Sequence, residues 1–220
     1  MEITWLGNSC FQLRGKNVVL VTDPFLPQGE QSDLSRPRKI NPAIITVSSK
    51  RVGQDFIQGI EGNARVINAP GEYEISDVLI TGVASYQDNK RGQVHGRNTI
   101  YIIHMDELVI CHLGNLGHAL YEEQLEEVAD ADVLLIPIGG ENTTAAQAAE
   151  IISQVEPRIV IPMQYQPVTA DTAIDPAQTP DPLEKFCREM GVEKTDLQPK
   201  LNVTKSSLPT SMQVVVLSVR

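Results

Sequence analysis

Four histidines, His95, His104, His112 and His118, are the side chains of this chain best suited to hold a metal ion or to accept a proton near neutral pH. Cys111 stands beside His112 in a run that predicts a strand. Neighbouring side chains on a strand point to opposite faces, so Cys111 and His112 cannot both face one ion. We expect Cys111 in the core, His112 as a hydrogen-bonded residue lining a cleft, His118 at the start of a helix, and the other two histidines in solvated loops.

Ser48 and Ser49, which follow an apolar run at residues 44–47, are candidate nucleophiles. A serine hydroxyl attacks only when an adjacent base takes its proton and a third group orients that base. His112 is the only plausible base, and nothing in the sequence brings it to the serines. Gly139 and Gly140 lack the lysine and the spacing of a phosphate-binding loop, so we predict a strand-to-helix turn there. No catalytic residue is assigned from the sequence.

The composition is that of a folded globular protein, with 41% hydrophobic and 21% charged residues among 220. Eighteen basic residues against 28 acidic ones give a net charge of -10 at pH 7. A field of that sign repels phosphates, and no Lys/Arg cluster appears, so we expect no nucleic-acid or membrane partner. Three cysteines cannot all pair within the chain, and no apolar run is long enough to span a bilayer, which favours the cytoplasm.

β-branched runs separated by turn residues predict a sheet-rich chain. Strands are predicted at residues 3–6, 10–13, 18–22, 44–47, 65–67, 78–83, 99–103, 108–112, 133–138, 159–162 and 214–219. Helical spacing of apolar residues predicts helices at 116–128, 143–154 and 182–190, the second capped by Thr143 or Thr144. Residues 166–182 carry four prolines and no apolar period, so we predict a long loop there, beside whatever site the strand ends form.

Six segments together resemble the metallo-β-lactamase superfamily. They are Thr4–Phe11, Thr22–Phe25, Gly71–Glu74, Gly96–Thr99, Cys111–His118 and Ile161–Tyr165. The branch they resemble most is that of small bacterial metal-dependent hydrolases similar to ascorbate-6-phosphate lactonase. The resemblance implies an α/β (α+β) fold, a four-layer αββα sandwich. It also implies a single domain over residues 1–220, whose two halves meet near residues 95–100 and whose site lies at one edge where strand-end loops converge.

The resemblance also implies one or two divalent metals, such as zinc or manganese, held by a His-x-His-x-Asp-His loop, a later His, an Asp in a Gly-Asp turn and a final His. The seven corresponding positions carry Ser49, Arg51, Gly53, Gln54, Gln87, Asn115 and Gln164. Amide oxygens are weak ligands for these metals, and a guanidinium stays protonated and repels a dication. We therefore predict a degenerate metal site with no metal and no cofactor. Five further residues are predicted to line the cleft: Asn8, Asp23, Ser48, Asp88 and His112.

The loss of these ligands favours a protein of this fold without metal-dependent hydrolase activity, which binds a small polar ligand or a protein partner in the cleft. One alternative is a hydrolase of the superfamily with an atypical or metal-independent site. A second is a structural subunit of a homo-oligomer or hetero-oligomer. Catalysis is therefore not expected under the first interpretation, and hydrolysis is the expected reaction under its first alternative.

Overall fold

The computed structural model describes residues 1–24, 40–50, 63–139, 143–165, 181–193 and 196–220. In chain order the strands are β1 (Glu2–Gly7), β2 (Cys10–Arg14), β3 (Val19–Thr22), β4 (Ile44–Thr46), β5 (Arg65–Ile67), β6 (Gly71–Ile75), β7 (Val78–Tyr86), β8 (Arg97–Met105), β9 (Leu108–His112), β10 (Val133–Pro137), β11 (Ile159–Met163), β12 (Leu201–Asn202) and β13 (Gln213–Val214). The helices are α1 (Glu122–Val128), α2 (Ala145–Val155) and α3 (Pro182–Glu189).

The strands form two sheets, called here the first and the second sheet. The first sheet has the order β12-β1-β2-β3-β4-β5, and the second has the order β13-β11-β10-β9-β8-β7-β6. Strands β3, β4 and β5 are parallel, and so are β9, β10, β11 and β13. The carboxyl ends of parallel strands meet at one edge of a sheet, and this arrangement gathers the loops that follow β3, β4, β9 and β11.

The core is one large cluster of apolar side chains contributed by both sheets. Trp5 and Phe11 stack face to face with ring centroids 6.4 Å apart, and both are almost fully buried. Tyr101 on β8 links the second sheet to the first. Its hydroxyl donates to the carbonyl oxygens of Val47 after β4 (3.0 Å) and Ile67 on β5 (3.1 Å). Burial raises the pKa of this phenol, so it stays a hydrogen-bond donor.

Helix α2 shows how the local sequence sets an element. Thr144 occupies the N-cap and its side chain accepts from the backbone N–H of Gln147, while the side chain of Gln147 accepts from the N–H of Thr144. This reciprocal pair satisfies two donors that a helix N-terminus leaves free. The face of α2 that packs on the core is buried through Ala148, Ile151 and Ile152.

The first predicted helix is shorter than its pattern. It was predicted over 116–128, but α1 begins at Glu122, because residues 113–121 make turns beneath the strand ends. Leu116 is fully buried there, and its N–H donates to the carbonyl oxygen of Leu113 at 3.3 Å. Tertiary packing therefore uses the apolar side chains of this segment without a helix. The predicted strand at 214–219 is likewise reduced to β13, although residues 215–217 remain buried.

The two facing sheets with few helices confirm the predicted fold class, an α/β (α+β) αββα sandwich. The chain passes from the first sheet to the second between Ile67 and Gly71. The single domain of residues 1–220 and the meeting of two halves near 95–100 stay predictions. Within the described ranges, no helix combines the length and the hydropathy needed to cross a membrane.

Candidate functional site

Asp23 and Ser48 form a buried hydrogen-bonded pair at the ends of β3 and β4. The Ser48 hydroxyl donates to Oδ2 of Asp23 at 2.5 Å, and the Ser48 N–H donates to Oδ1 at 2.6 Å. The Asp23 N–H donates to the carbonyl oxygen of Thr46 at 2.8 Å, and its φ of 38° is in the left-handed region that few non-glycine residues adopt. The aspartate is thus fixed at both its backbone and its carboxylate.

Ser49, Asn115 and Gln164 are joined in a chain of side-chain hydrogen bonds, called here the Ser49–Asn115–Gln164 network. Asn115 Nδ2 donates to the hydroxyl oxygen of Ser49 at 2.9 Å, and Gln164 Nε2 donates to Asn115 Oδ1 at 2.6 Å. Gln164 Nε2 also lies 3.2 Å from the carbonyl oxygen of Gly114. Three residues that stand at metal-ligand positions of the family resemblance therefore converge, and they bind one another.

Asn98, the second residue of β8, holds the backbone of Asn115 in this network by a hydrogen bond. It is buried, its Nδ2 donates to Ser85 Oγ (2.8 Å) and to the carbonyl oxygen of Leu113 (2.9 Å), and its Oδ1 accepts the N–H of Asn115 at 2.8 Å. Gly114 has a φ of 60° and leaves no room for a side chain, because a Cβ would lie 2.5 Å from Cβ of Ser48. This close approach requires glycine before Asn115.

Gln87 and Asp88 follow β7 at the same edge. Gln87 is buried, and its Nε2 donates to the carbonyl oxygen of Arg97 at 3.0 Å. Asp88 accepts four backbone N–H groups of the following loop, those of residues 90 and 92 on Oδ1 and those of 94 and 95 on Oδ2, at 2.7–3.1 Å. The bond from the N–H of His95 contributes most to lowering the pKa of Asp88 to about 2. Asp88 therefore acts as the anchor of this loop.

His112 lies in the core. Its Nε2 contacts the carbonyl oxygen of Ser9 at 3.0 Å, its ring meets Phe11 edge to face, and it is fully buried. Burial lowers its pKa, which favours the neutral ring. His112 is not among the described residues that line the cavity next to Ser48. The described hydroxyl partner of Asp23 is Ser48. The group placed to act as a base for this serine is therefore the carboxylate of Asp23 rather than the imidazole of His112.

The remaining predicted site residues have different positions. Asn8 is exposed in the β1–β2 turn, where its carbonyl oxygen accepts from the N–H of Gln164 at 3.2 Å. Arg51, Gly53 and Gln54 lie outside the described residues. His118 does not open a helix, contrary to the prediction, since α1 begins at Glu122, and its ring instead stacks on Tyr121 with centroids 4.6 Å apart.

A cavity of about 830 Å³ opens beside these residues. Its described lining residues are Val47, Ser48, Ser49, Lys50, Asn68, Ala69, Pro70, Ala84, Ser85, Tyr86, Arg91, Arg97, Asn98 and Thr99. The sequence did not single out Lys50, Arg91 and Arg97, because they come from three separate segments and form no cluster along the chain. The sequence carries no local signal that could have found them, since the three cations stand out against the net charge of -10 only in the folded chain.

Comparisons with known proteins agree with the sandwich. The family model of the Beta-lactamase superfamily domain matches residues 2–164. A Methanopyrus kandleri protein named as a metal-dependent hydrolase is 26% identical over 223 residues, which cover 88% of this chain and 94% of that protein. A Thermotoga maritima structure, described as a candidate zinc-dependent hydrolase of the metallo-β-lactamase superfamily, is 28% identical with a TM-score of 0.74, covering 99% of this chain and 98% of that one.

A Thermoplasma acidophilum protein, also named as a metal-dependent hydrolase, is 28% identical over 190 residues, which cover 75% of this chain and 83% of that protein. The relatives thus include archaeal proteins, and the expectation of a bacterial branch is not supported. The predicted superfamily is confirmed. The similarity to ascorbate-6-phosphate lactonase stays a prediction.

The prediction of no cofactor is wrong, because the relatives are named metal-dependent hydrolases and so point to a divalent metal. The described residues do not fit such an ion: in those ranges, no three His, Cys, Asp or Glu side chains lie close enough to hold one. The oxygens of Ser49 and Asn115 accept hydrogen bonds inside the network, and neutral amide oxygens are weak ligands for zinc.

Proposed function

Because the chain belongs to the β-lactamase superfamily, we propose that it is a hydrolase with an atypical site, in which Ser48 and Asp23 carry the reaction. One observation carries the proposal. A serine hydroxyl on the wall of a substrate-sized cavity donates to a buried carboxylate at 2.5 Å, which is the reach that a nucleophile and its base require.

The pair is held by backbone contacts on each side. The carbonyl oxygen of Ser48 accepts the N–H of Thr99 on β8 at 2.9 Å, and the N–H of Ser48 binds the second carboxylate oxygen of Asp23. Asp23 thus cannot rotate away from the hydroxyl without breaking two hydrogen bonds. Fixed positions of this kind reduce the reorganisation that a reaction needs.

The reaction follows from these positions. Ser48 Oγ bonds to the carbonyl carbon of an ester-type substrate while its proton moves to Asp23. The bond to the leaving oxygen then breaks, that oxygen takes the proton, and an acyl-serine remains. Water attacks the acyl carbon with Asp23 accepting its proton, and the proton returns to Ser48 as the acid product leaves.

Turnover of a panel of aryl esters and lactones, with Zn²⁺ and Mn²⁺ supplied in parallel, tests this function. Ser48→Ala should lower kcat by at least about a hundredfold, and the parent should show a burst of the leaving alcohol. Ser153→Ala, at an exposed serine of α2, is the matched control and should turn over like the parent. Parent-like turnover by a folded Ser48→Ala protein, or no turnover by the parent, would overturn the proposal.

A non-catalytic ligand-binding protein is the second candidate. The Ser49–Asn115–Gln164 network favours it, because these polar side chains at the edge of the cleft satisfy one another through hydrogen bonds. Binding in the cavity without turnover by the parent is its expected result. A cytoplasmic location and assembly into a homo-oligomer remain part of the proposal, and the solution mass decides the second of these.

A further inference from the structure

The cavity beside Ser48 carries positive charge on three different segments. Lys50 follows the end of β4, Arg91 lies in the loop after β7, and Arg97 is the first residue of β8. None of the described residues that line the cavity is an aspartate or a glutamate. In a chain with 28 acidic and 18 basic residues, such a lining is a local reversal of the overall charge.

Hydrogen bonds fix the backbone that carries these cations. Asp88 accepts hydrogen bonds from four backbone N–H groups in the loop of residues 90–95. These bonds fix the backbone from which the Arg91 side chain extends. The carbonyl oxygen of Arg97 accepts from Gln87 Nε2, and Arg97 pairs with Tyr86 across the β7–β8 ladder. Within the described part of the chain, no carboxylate forms an ion pair with any of the three.

Between the cations the cavity floor is polar and buried. Ser48, Ser49 and Asn98 lie there with almost no exposure. The volume of about 830 Å³ is in the range of cavities that hold small molecules. Guanidinium and ammonium groups recognise phosphate and carboxylate oxygens through charge-assisted hydrogen bonds.

We propose that this cavity binds a small organic molecule carrying two or more negative charges, a phosphate ester or a polycarboxylate, through Lys50, Arg91 and Arg97. The inference deepens the proposed function, on which it rests for the identity of the site, by naming the chemical class of the substrate. The anionic group lies against the cations, and the rest of the molecule faces the serine hydroxyls.

Calorimetric titration of the full chain with glucose 6-phosphate, with citrate and with neutral glucose tests the proposal. The parent should bind at least one of the two anions and not glucose, and Arg91→Gln and Arg97→Gln should each weaken that binding by at least about tenfold. Lys90→Gln, at an exposed neighbour in the same loop that does not line the cavity, is the matched control and should change the affinity by less than about threefold.

Binding of neither anion by the parent at millimolar concentration would overturn the proposal, and so would an equal loss of affinity in Lys90→Gln and Arg91→Gln. The thermal transitions of all variants show whether a loss of binding reflects unfolding. Ester turnover by the same parent protein, measured in parallel, separates this inference from the proposed function. A parent that binds the anion but hydrolyses no ester supports the inference and overturns the Ser48 reaction.

Discussion

Gln164 Nε2 donates to Asn115 Oδ1 at 2.6 Å across the end of β10, the strand that lies between β9 and β11. The two residues are 49 positions apart in the chain. Asn115 lies in the loop after β9, and Gln164 directly follows β11, so the hydrogen bond links the two loops. Removing the Gln164 side chain takes away the described donor to Asn115 Oδ1, and removing the Asn115 side chain leaves Gln164 Nε2 with only the carbonyl oxygen of Gly114, both in half-buried positions.

We expect Asn115→Ala and Gln164→Ala to couple. Each should lower the free energy of unfolding by about 1 kcal/mol, and the double variant should lose less than the sum by about 1 kcal/mol, because the shared hydrogen bond is lost only once. Urea denaturation of the four proteins measures the coupling. Asn115→Ala combined with Ser207→Ala, far from the cleft, should be additive, and strict additivity of the cleft pair as well would contradict the network.

The neutral state of His118 should make stability depend on pH. Its Nε2 accepts the N–H of Tyr86 at 3.1 Å, which a protonated ring cannot do, and burial lowers its pKa below the ordinary histidine value of 6.5. The unfolded chain therefore binds the proton more readily than the folded one. The stabilisation is complete above pH 6.5 and is lost as the pH falls from there through the lower folded-state pKa.

His118→Gln should therefore flatten the rise of the urea midpoint as the pH approaches 6.5 from below. The slope should not vanish, because the pKa of His112 is lowered in the same direction. His95→Gln, at a half-buried loop residue, serves as the reference. An unchanged slope of the urea midpoint against pH in His118→Gln would mean that the hydrogen bond from the Tyr86 N–H to the His118 ring does not make stability depend on pH.

Asp88 should govern an acid transition of its loop. Its pKa falls from 3.8 to about 2 in the folded chain, so the stability it contributes is present above pH 3.8 and is lost as the pH falls through about 2. Asp88→Asn should be less stable than the parent at neutral pH, with a gap that narrows in acid. Hydrogen exchange should report faster exchange of the Val94 and His95 amides, whereas Asp130→Asn, at an exposed carboxylate, should leave these amides protected.

Position 117 requires a glycine, because neighbouring backbone atoms leave no room for a Cβ. A Cβ at this position would overlap the backbone of Gln87 and lie 2.7 Å from the amide nitrogen of Asp88. Gly117→Ala should lower the free energy of unfolding by about 3 kcal/mol through overpacking. Gly191 has open space but a φ of +64°, so Gly191→Ala should lose only about 1 kcal/mol. Thermal melts compare the two, and similar losses would mean that the close approach at Gly117 relaxes.

Much of the fold could be predicted because the strands carry their own pattern. The bounds of β5 and β9 match the predicted runs at 65–67 and 108–112, where β-branched and apolar residues stand between turn residues. The helix predicted from 116 failed because Leu116 is buried by packing under the cleft, which no local spacing reveals. The strand pattern of β6 at Gly71–Ile75 is weakened by its glycine and acidic residues.

The site was predictable as a set of positions but not as a set of bonds. The family resemblance aligned Ser49, Asn115 and Gln164, and the structure joins those three directly. Their hydrogen bonds depend on rotamers that the sequence does not encode locally. The cofactor prediction failed for another reason: it took missing ligand types as decisive, whereas relatives of similar length are named metal-dependent hydrolases. Lys50, Arg91 and Arg97 were missed because only folding brings their segments together.

The long sequence separations in the cleft have a kinetic consequence. The bond between Asn115 and Ser49 spans 66 positions, and the contact of His112 with Ser9 spans 103. Contacts that close such long loops form late, because the entropy of loop closure is lost before they stabilise the chain. We therefore expect the cavity to form late in folding. A compound that binds in the cavity should therefore slow unfolding and leave the refolding rate unchanged. An effect confined to the unfolding rate would show that the cavity forms only after the folding transition state.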